Sequence, residues 1–475
     1  MSSNLAARIE ALGRSQHFTP AELEDLRDFV ASAPDEALFR VNPLTYAAER
    51  GMPEHRAIDL FVHAGRAGIF DLAWNVLCYG CGGYLQSGHA LGELSAQTHC
   101  AVCDLDVEAT LDDAVEVSFT VAPAIRSIRY HRPNELAPGP ELLRYIFSSN
   151  RLRSPEVEAV MGAARVMLEF LPPLGTKSLA LELSAGAYRL VSASHHANCH
   201  LQVSAGASQT MIDLHDQAFL GATALAAGPV TLQITNTTER PATVALINLS
   251  ALPDMPDACE AYRAYRPFLT GKRILTSQAF RDLYRNHSMA PGSSFSLRSL
   301  TFLFTDLKDS TQLYDRIGDL SAYELVQEHF KILSETVSEH EGAIVKTIGD
   351  AIMATFPRPE SAVAAAAEMN RKLSEWNRRS EVELFLKIGI HEGACIAVSS
   401  NDRIDYFGQT VNQAARIQAL AGAGEIYLSE AVYSSQGVAQ VGQIDYLEPQ
   451  VVQLKGISEK VTVYPAVVPT TVVAS

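Results

Sequence analysis

Two aspartates in the last third of the chain have a sequence context in which carboxylates could hold divalent cations. Apolar and polar residues alternate through 300–305, which predicts a β-strand that ends at Asp306 and leads into a polar turn and a helix. β-Branched residues flank Gly349 and Asp350, and this spacing predicts a hairpin with Asp350 at its tip. The two carboxylates could then face each other across neighbouring strands, hold two Mg²⁺ ions and activate a hydroxyl for attack on a phosphoryl group.

Other polar residues in this region suit a phosphorylated substrate. Backbone N–H groups at the start of the helix after Asp306 would suit phosphate oxygens, and Asp309 is expected to cap that helix. Asn412 and Arg416 lie four residues apart on a predicted helix, so both project from one face and could orient a ribose and brace a transition state. Lys455 precedes a glycine at a predicted strand end. Each alone is commonly a cap or a surface residue, and only the joint pattern indicates nucleoside triphosphate chemistry.

Three segments carry a specific family resemblance. They read FLFTDLKDST at 302–311, IVKTIGDAIMATF at 344–356 and RIDYFGQTVNQAARI at 403–417. Together they resemble the class III nucleotidyl cyclases, the adenylate and guanylate cyclases, over about residues 296–468. The resemblance implies a ferredoxin-like α/β catalytic domain. It implies two Mg²⁺ (or Mn²⁺) ions held by Asp306, Leu307 and Asp350, catalytic roles for Asn412 and Arg416, and triphosphate binding by Lys455.

The resemblance also implies which base the substrate carries. In this family a lysine and an aspartate select adenine, whereas a different pair, commonly glutamate and cysteine, reads guanine. Lys346 stands four residues before Asp350, and Asp405 stands three before Gly408, so both match the adenine pattern. A lysine can donate to the ring N1 of adenine and an aspartate can accept from its amine, whereas guanine presents the opposite groups. ATP is therefore the expected substrate.

The resemblance further implies a head-to-tail homodimer. In the family, one subunit supplies the metal aspartates and its partner supplies the base-binding and transition-state residues. One chain with the full set thus implies two equivalent sites, in which the 3′-OH of ATP attacks the α-phosphate and yields 3′,5′-cyclic AMP and pyrophosphate. Two alternatives stay open: a cyclase for another nucleotide (GTP or a pyrimidine nucleoside triphosphate), and an inactive nucleotide-binding regulatory module.

Four cysteines earlier in the chain indicate a structural zinc site. Cys78 and Cys81 form one Cys-x-x-Cys pair, Cys100 and Cys103 form another, and 18 residues separate the pairs. Four thiolates close a tetrahedral shell, so the one Zn²⁺ per chain should be structural; a redox pair and incidental cysteines are the alternatives. A weaker candidate cluster comprises His195, His196, Cys199 and His200.

Composition and charge favour a cytoplasmic enzyme. The 475 residues carry a formal net charge of −16, which argues against general binding to nucleic acid or to an anionic membrane. The sequence has no apolar run of about 18 residues and no signal-peptide core. Seven cysteines, four of them in paired spacing, suit a reducing cytosol better than a disulfide scaffold.

Hydrophobic patterning predicts a multidomain α+β protein with five segments. Residues 1–76 form a helical module that weakly resembles a winged helix, 77–106 the zinc ribbon, 107–262 a β-rich, sandwich-like domain, 263–295 a transmitter helix and linker, and 296–475 the catalytic domain. The β-rich domain is expected to be a sensor or docking surface through which an unknown ligand or protein regulates the enzyme. The N-terminal half resembles a poorly characterised region found ahead of cyclase domains in some bacterial proteins.

Local patterns predict several elements more closely. A Thr-Pro-x-Glu start predicts a capped helix within 18–33, and a Gly-Met-Pro turn separates two helices before a strand that ends near residue 77. The catalytic domain should contain helices at 323–340 and 360–379. In the other segments we expect a helical interlude at 154–170, a β-rich-domain strand at 115–123, a transmitter helix at 276–287 and a flexible linker at 288–296.

Overall fold

The computed structural model of the chain describes residues 3–137, 139–152, 155–206, 210–252, 264–285, 289 and 292–469. The end of the predicted β-rich segment (253–262), the end of the predicted transmitter helix (286–287) and linker residues 288 and 290–291 lie outside the described residues. Across these described ranges, every helix is too short or too polar to traverse a lipid bilayer.

Four helices and a small sheet form the N-terminal module. The helices are α1 (Ser3–Gly13), α2 (Pro20–Ser32), α3 (Pro43–Arg50) and α4 (Glu54–Arg66). Thr19 caps α2 in a capping box with Glu22, and Gly51, at φ 62°, ends α3 in the left-handed conformation. The predicted helix–turn–helix order is therefore confirmed. Strands β1 (Phe70–Leu77), β2 (Tyr84–Gly88) and β5 (Val115–Val121) form an antiparallel sheet in the order β2-β1-β5.

A ribbon hairpin and a β-sandwich follow. Strands β3 (Gln97–Cys100) and β4 (Leu105–Glu108) pair antiparallel. After helices α5 (Pro140–Ile146) and α6 (Pro155–Ala164), two sheets share one apolar core, which confirms the expected sandwich. The sheet orders are β11-β10-β13-β7 and β12-β9-β8-β14-β6, with β6 (Arg165–Leu171), β7 (Thr176–Leu183), β8 (Gly186–Ser192), β9 (Ala197–Ser204), β10 (Met211–His215), β11 (Ala218–Gly221), β12 (Ala224–Ala226), β13 (Gly228–Asn236) and β14 (Ala242–Asn248).

Two predictions for the β-rich region are wrong in part. Strand β5 pairs with β1 and completes the sheet of the N-terminal module, so it does not belong to the sandwich. The helix predicted over 154–170 ends at Ala164, and the following RVMLEF is strand β6. Met167 and Leu171 of β6 are buried in the sandwich core, because pairing with β14 outweighs the helical pattern of this short apolar run.

The segment before the catalytic domain also differs from the prediction. The predicted transmitter helix at 276–287 corresponds to α8 (Gln278–Leu283), which is shorter than predicted and follows another short helix, α7 (Gly271–Leu275); residues 286–287 lie outside the described part. Phe295, assigned to the flexible linker, is fully buried and begins strand β15 (Phe295–Leu307). The end of that linker is therefore ordered by apolar packing.

One mixed sheet, covered by helices, forms the C-terminal domain. Its order is β16-β17-β15-β18-β20-β23-β21, with β19 beside β18 and β22 beside β23. The remaining strands are β16 (Ala343–Ile348), β17 (Ala351–Phe356), β18 (Leu386–Ser400), β19 (Arg403–Phe407), β20 (Glu425–Ser429), β21 (Asp445–Tyr446), β22 (Gln450–Gln453) and β23 (Lys460–Val467). The helices are α9 (Ser310–Ile317), α10 (Asp319–Glu339), α11 (Pro359–Asn377), α12 (Gln409–Gln418) and α13 (Glu430–Tyr433). The predicted helices at 323–340 and 360–379 correspond to α10 and α11.

Strand β15 is buried on both faces. Leu300 and Phe302 belong to the apolar cluster of the N-terminal module, whereas Leu303 and Leu307 belong to the cluster beneath α10 and α11. This assignment follows the two-residue period of a strand. The N-terminal module and the catalytic sheet therefore share one apolar core.

Polar contacts reinforce this junction at the start of β15. The backbone N–H of Leu111 donates to the carbonyl oxygen of Ser296 at 3.0 Å. The backbone N–H of Arg298 donates to Asp112 at 2.7 Å, and its guanidinium lies 2.8 Å from Asp113. The loop before β5 is therefore bonded directly to the first catalytic strand.

We expect Gly389→Ala on β18 to destabilise the catalytic domain. A Cβ atom at Gly389 would lie 2.2 Å from the backbone nitrogen of Gln418, so α12 would have to move off the sheet. The cost should be about 1–3 kcal/mol, seen as a lower midpoint of thermal unfolding. Gly162→Ala is the control, because Gly162 lies in α6 with open space around it and alanine there should be neutral or stabilising. Equal midpoints for both variants would contradict this packing argument.

Candidate active site

The two predicted metal aspartates lie at the same end of the catalytic sheet. Asp306 is the last residue but one of β15, and Asp350 follows Gly349 in the two-residue turn between β16 and β17. Gly349 has φ 64°, as such a tight turn requires, so the predicted hairpin is confirmed. Phe304 of β15 pairs with Met353 of β17, and this register brings the turn beside Asp306.

The electrostatics at this end of the sheet favour a bound cation. Burial and the negative charge of Asp350 raise the pKa of Asp306. Asp350 Oδ2 is buried and has no hydrogen-bond partner among the described residues. Lys387 Nζ, 3.8 Å from Asp306 Oδ2, offsets only part of the negative charge. The carboxylates thus fit a divalent cation, while Leu307, the last residue of β15, stays a predicted ligand.

Two residues that lie beside the carboxylates were not predicted from the sequence. His329 on α10 is fully buried, and its Nε2 lies 3.3 Å from the carbonyl oxygen of Asp350. Burial lowers the pKa of His329 to about 4, so the ring is neutral at pH 7. Lys387 faces Asp306 in the register of β15 and β18. Helix packing and strand register create both contacts, so the local sequence carries no signal for them.

The start of α9 differs from the prediction. Asp309 occupies the N-cap position with φ 55°, and its side chain makes no cap hydrogen bond. The predicted capping role of Asp309 is therefore wrong. In this left-handed conformation the carboxylate does not reach the backbone N–H groups of the first helical turn.

Lys346 and Asp405 form a pair within one chain. Lys346 Nζ donates to Asp405 Oδ2 at 2.6 Å, and Asp405 Oδ1 accepts from the backbone N–H of Tyr406 at 2.8 Å. A one-residue bulge between Ile344 and Lys346 interrupts the pairing of β16 with β17 and thereby sets the direction of the lysine side chain. The Lys346 side chain is 42% exposed, so a ligand can reach this donor and acceptor.

Helix α12 carries the other predicted catalytic residues. Asn412 is exposed, and its side chain makes no hydrogen bond to the described residues. Arg416 Nη1 is buried and lacks a hydrogen-bond partner among those residues. The Arg416 guanidinium packs against Gly456, where an added Cβ would lie 3.0 Å from Nη1. Lys455 is exposed in the turn after β22, so the structure brings Arg416 next to the loop that carries this lysine.

The four predicted zinc ligands converge between β1 and β4. Their sulfur atoms all lie within 4.8 Å of one another, with Cys78 Sγ 3.7 Å from Cys103 Sγ and Cys81 Sγ 3.6 Å from Cys100 Sγ. All four thiols are free. Hydrogen bonds within the cluster lower the pKa values of Cys78 and Cys100 and raise those of Cys81 and Cys103, so the support for a metal comes from the geometry of the four sulfur atoms. The donor set fits one tetrahedral Zn²⁺ ion.

The ribbon is bonded to the β-sandwich through Asp104. This carboxylate lies 2.8 Å from His200 Nε2 and accepts from Asn198 Nδ2 at 2.9 Å. His195 instead lies 2.8 Å from Thr238 Oγ1, and burial lowers the pKa of His195 to about 4. Among the described residues the four zinc-site cysteines are the only group of three or more candidate ligands that converge, so the weaker cluster at 195–200 does not form.

Both halves of the chain match known families. Residues 3–282 match the model of the Family of unknown function (DUF5939), and residues 294–465 match the Adenylate and Guanylate cyclase catalytic domain. Receptor-type adenylate cyclase GRESAG 4.1 of Trypanosoma brucei brucei is 26% identical over 219 residues, 38% of this chain and 17% of that protein. The adenylate cyclase of Lachancea kluyveri is 32% identical over 152 residues, 28% of this chain and 8% of that protein.

A match to a solved structure covers a similar share of this chain. The crystal structure of the adenylyl cyclase CyaB from P. aeruginosa is 23% identical and covers 38% of this chain and 98% of its own, with a TM-score of 0.33. The chain spans only 17% and 8% of the two curated relatives. The match to the cyclase catalytic domain covers residues 294–465 of this chain.

We expect the purified protein to contain about one zinc per chain, and Cys100→Ser to lose most of it. The variant should also unfold at a lower temperature, because the energy of metal binding stabilises so small a ribbon. Elemental analysis and thermal unfolding measure the two effects. Cys199→Ser is the matched control, since Cys199 lies on β9 outside the cluster. Wild-type protein that contains no zinc after purification under reducing conditions would contradict the assignment.

Proposed function

The chain belongs to the Family of unknown function (DUF5939) and carries an adenylate and guanylate cyclase catalytic domain in its last third, and we propose that it converts ATP to 3′,5′-cyclic AMP and pyrophosphate. The similarity of the catalytic domain to two adenylate cyclases supports this choice of substrate. The proposal extends to regulation of the activity by the N-terminal half and to a homodimer in a reducing cytoplasm, where the ribbon thiols can bind zinc.

The contact between Lys346 and Asp405 is the observation that carries the proposal. Their 2.6 Å contact puts a donor directly beside an acceptor on an accessible surface. Adenine presents the complementary groups side by side, since its N1 accepts and its amine donates. Guanine in the same orientation would set a donor against Lys346 and an acceptor against Asp405, and both contacts would be repulsive.

Asp306 and Asp350 would hold the metal ions. A divalent cation bound there lowers the pKa of a hydroxyl and offsets the charge of the phosphates. The partnerless Oδ2 of Asp350 and the mutual repulsion of the two carboxylates support this role. His329 keeps the Asp350 turn in place without adding charge, because its buried ring is neutral. Leu307 would contribute its backbone carbonyl oxygen, since its side chain is apolar.

Arg416, Lys455 and Asn412 would act on the substrate. The unpartnered Nη1 of Arg416 can donate to an oxygen of the α-phosphate, where charge grows in the transition state. Lys455 lies beside the same Gly456 turn and, being exposed, can reach the outer phosphates. Asn412 lies four residues before Arg416 on the same helical face and can orient the ribose.

The reaction exchanges one P–O bond for another. The ribose 3′-oxygen forms a bond to the α-phosphorus while the bond from that phosphorus to the oxygen bridging the β-phosphate breaks. Pyrophosphate leaves with the electron pair, and the hydroxyl proton passes to water or to a substrate phosphate. The residues of the chain position the reacting groups and stabilise the charge that develops on the phosphate, which are the main contributions to catalysis of phosphoryl transfer.

We expect the full-length protein with Mg²⁺ or Mn²⁺ to cyclise ATP in preference to GTP, CTP or UTP, with products identified by mass spectrometry. Asp306→Asn should lower the rate about a hundredfold or more, because it removes a metal-binding charge without a change in size. Asp445→Asn is the matched control, since Asp445 is exposed on β21 at the opposite edge of the sheet. Cyclisation of another nucleotide would overturn the substrate, and a wild-type protein that binds nucleotide without turnover would indicate a regulatory module.

A mixture of two inactive variants tests the dimer. Asp306→Ala and Arg416→Ala should each be inactive, because each damages both equivalent sites of a homodimer. A mixed dimer has one site with both defects and one intact site, so subunit exchange should restore up to about a quarter of the wild-type rate. No recovery, with exchange proven by pull-down of a tagged subunit, would mean that each site lies within one chain.

A further inference from the structure

Helix α8 makes hydrogen bonds to both strands that carry the Lys346–Asp405 pair. Gln278 Oε1 accepts from the backbone N–H of Ile344 at 2.7 Å. Arg281 donates through Nη1 and Nη2 to the carbonyl oxygen of Ile404 at 3.0 and 3.1 Å. Ile344 stands two residues before Lys346, and Ile404 directly precedes Asp405. All three hydrogen bonds therefore end within two residues of the pair.

Among the described residues, strands β16 and β19 each have one edge without a partner strand, and α8 makes hydrogen bonds to both strands. In the sheet β16 pairs with β17 alone, and β19 pairs with β18 alone. Backbone groups on such an edge need partners from outside the sheet. Gln278 and Arg281 supply partners on the two different strands. Their side chains thus fix the spacing of β16 and β19 at the place where Lys346 meets Asp405.

Apolar packing between α8 and the strands is incomplete at this place. A cleft of about 140 Å³ lies beside α8 and is lined in part by Tyr284, Arg285, Val345 and Arg403. Side chains across this cleft make fewer van der Waals contacts with one another than they would in a filled core. The hydrogen bonds of Gln278 and Arg281 are therefore the directional contacts that set the distance between the two strands.

The opposite side of α8 is anchored in the N-terminal module. Phe280 is buried, with its ring edge-on to Trp74 of β1 at a centroid distance of 5.9 Å. The Ser277 hydroxyl, at the N-cap of α8, donates to Asp59 of α4 at 3.3 Å. The Tyr284 hydroxyl donates to the carbonyl oxygen of Val62 at 3.4 Å. A displacement of α4 or β1 would therefore move α8 with it.

We propose that Gln278 and Arg281 are positioning residues for the substrate base, which hold Lys346 and Asp405 at the spacing that reads adenine. Through them, the DUF5939 half of the chain sets the affinity for ATP and the discrimination against GTP. This inference rests on the proposed function, since it assigns a role in base selection to contacts outside the base-binding pair. Neither residue touches the substrate, and both act through the backbone of their strands.

Steady-state kinetics of the full-length protein tests this role. Arg281→Met keeps the apolar stem and removes both donors, so it should raise the KM for ATP about three- to tenfold and lower the ratio of kcat/KM for ATP over GTP by a similar factor. Arg281→Lys retains a donor and should recover part of both effects. Arg285→Met is the matched control, because Arg285 is exposed on the same segment and pairs only with Asp282 among the described residues.

Hydrogen exchange gives a readout that does not depend on activity. Gln278→Leu removes the acceptor for the Ile344 N–H, so peptides covering 343–346 should exchange faster, whereas those of β13 in the sandwich should not change. The proposal would be overturned if the KM, the base discrimination and the hydrogen exchange were unchanged in both Arg281→Met and Gln278→Leu. It would also be overturned if only kcat fell in these variants. A wild-type protein inactive on ATP would overturn the proposed function, while the exchange data would still decide whether α8 holds the two strands.

Discussion

Strand β15, an interior strand of the catalytic sheet, is buried on both of its faces, and this burial fixes the geometry of the site. Leu300 and Phe302 pack into the N-terminal cluster, while Leu303 and Leu307 pack beneath α10 and α11. A slip of one residue would exchange the two faces, so the register of β15 is strongly specified. Asp306 is therefore held at a fixed strand end, beside the turn of the neighbouring hairpin.

Two pairs of charged residues in the candidate site differ in their effect on the free energy of folding. Asp306 and Asp350 repel each other in a partly buried setting, so folding brings together like charges that a cation would relieve. Lys346 and Asp405 are opposite charges near the surface, and such a pair adds little to stability. Opening that ion pair would therefore cost the fold little, whereas bringing the two carboxylates together costs free energy.

The N-terminal half meets the catalytic sheet through packing and backbone contacts. The two share an apolar core, the loop before β5 is bonded to β15, and α8 lies between α4 and the edge strands. The ribbon is bonded to the sandwich through Asp104. Helix α8 thus links the N-terminal module directly to strands β16 and β19.

The sequence by itself determined the features that depend on local spacing. The hairpin tip at Asp350, the capping box at Thr19, the two Cys-x-x-Cys pairs and the helices of the catalytic domain follow from turn chemistry and periodicity within a few residues. Contacts between distant segments were decided by the tertiary structure alone. The Lys346–Asp405 bond, the position of Lys387 opposite Asp306 and the contacts of α8 depend on strand register and packing.

The errors have the same physical origin. RVMLEF is compatible with a helix or a strand as a short apolar run, and only its pairing with β14 makes it a strand. Strand β5 alternates as a sandwich strand would, yet its partner is β1, because periodicity specifies the faces of a strand and not its neighbours. The sequence determined which groups are present and which local elements carry them. The burial of apolar surface across the whole chain decided which of those groups meet.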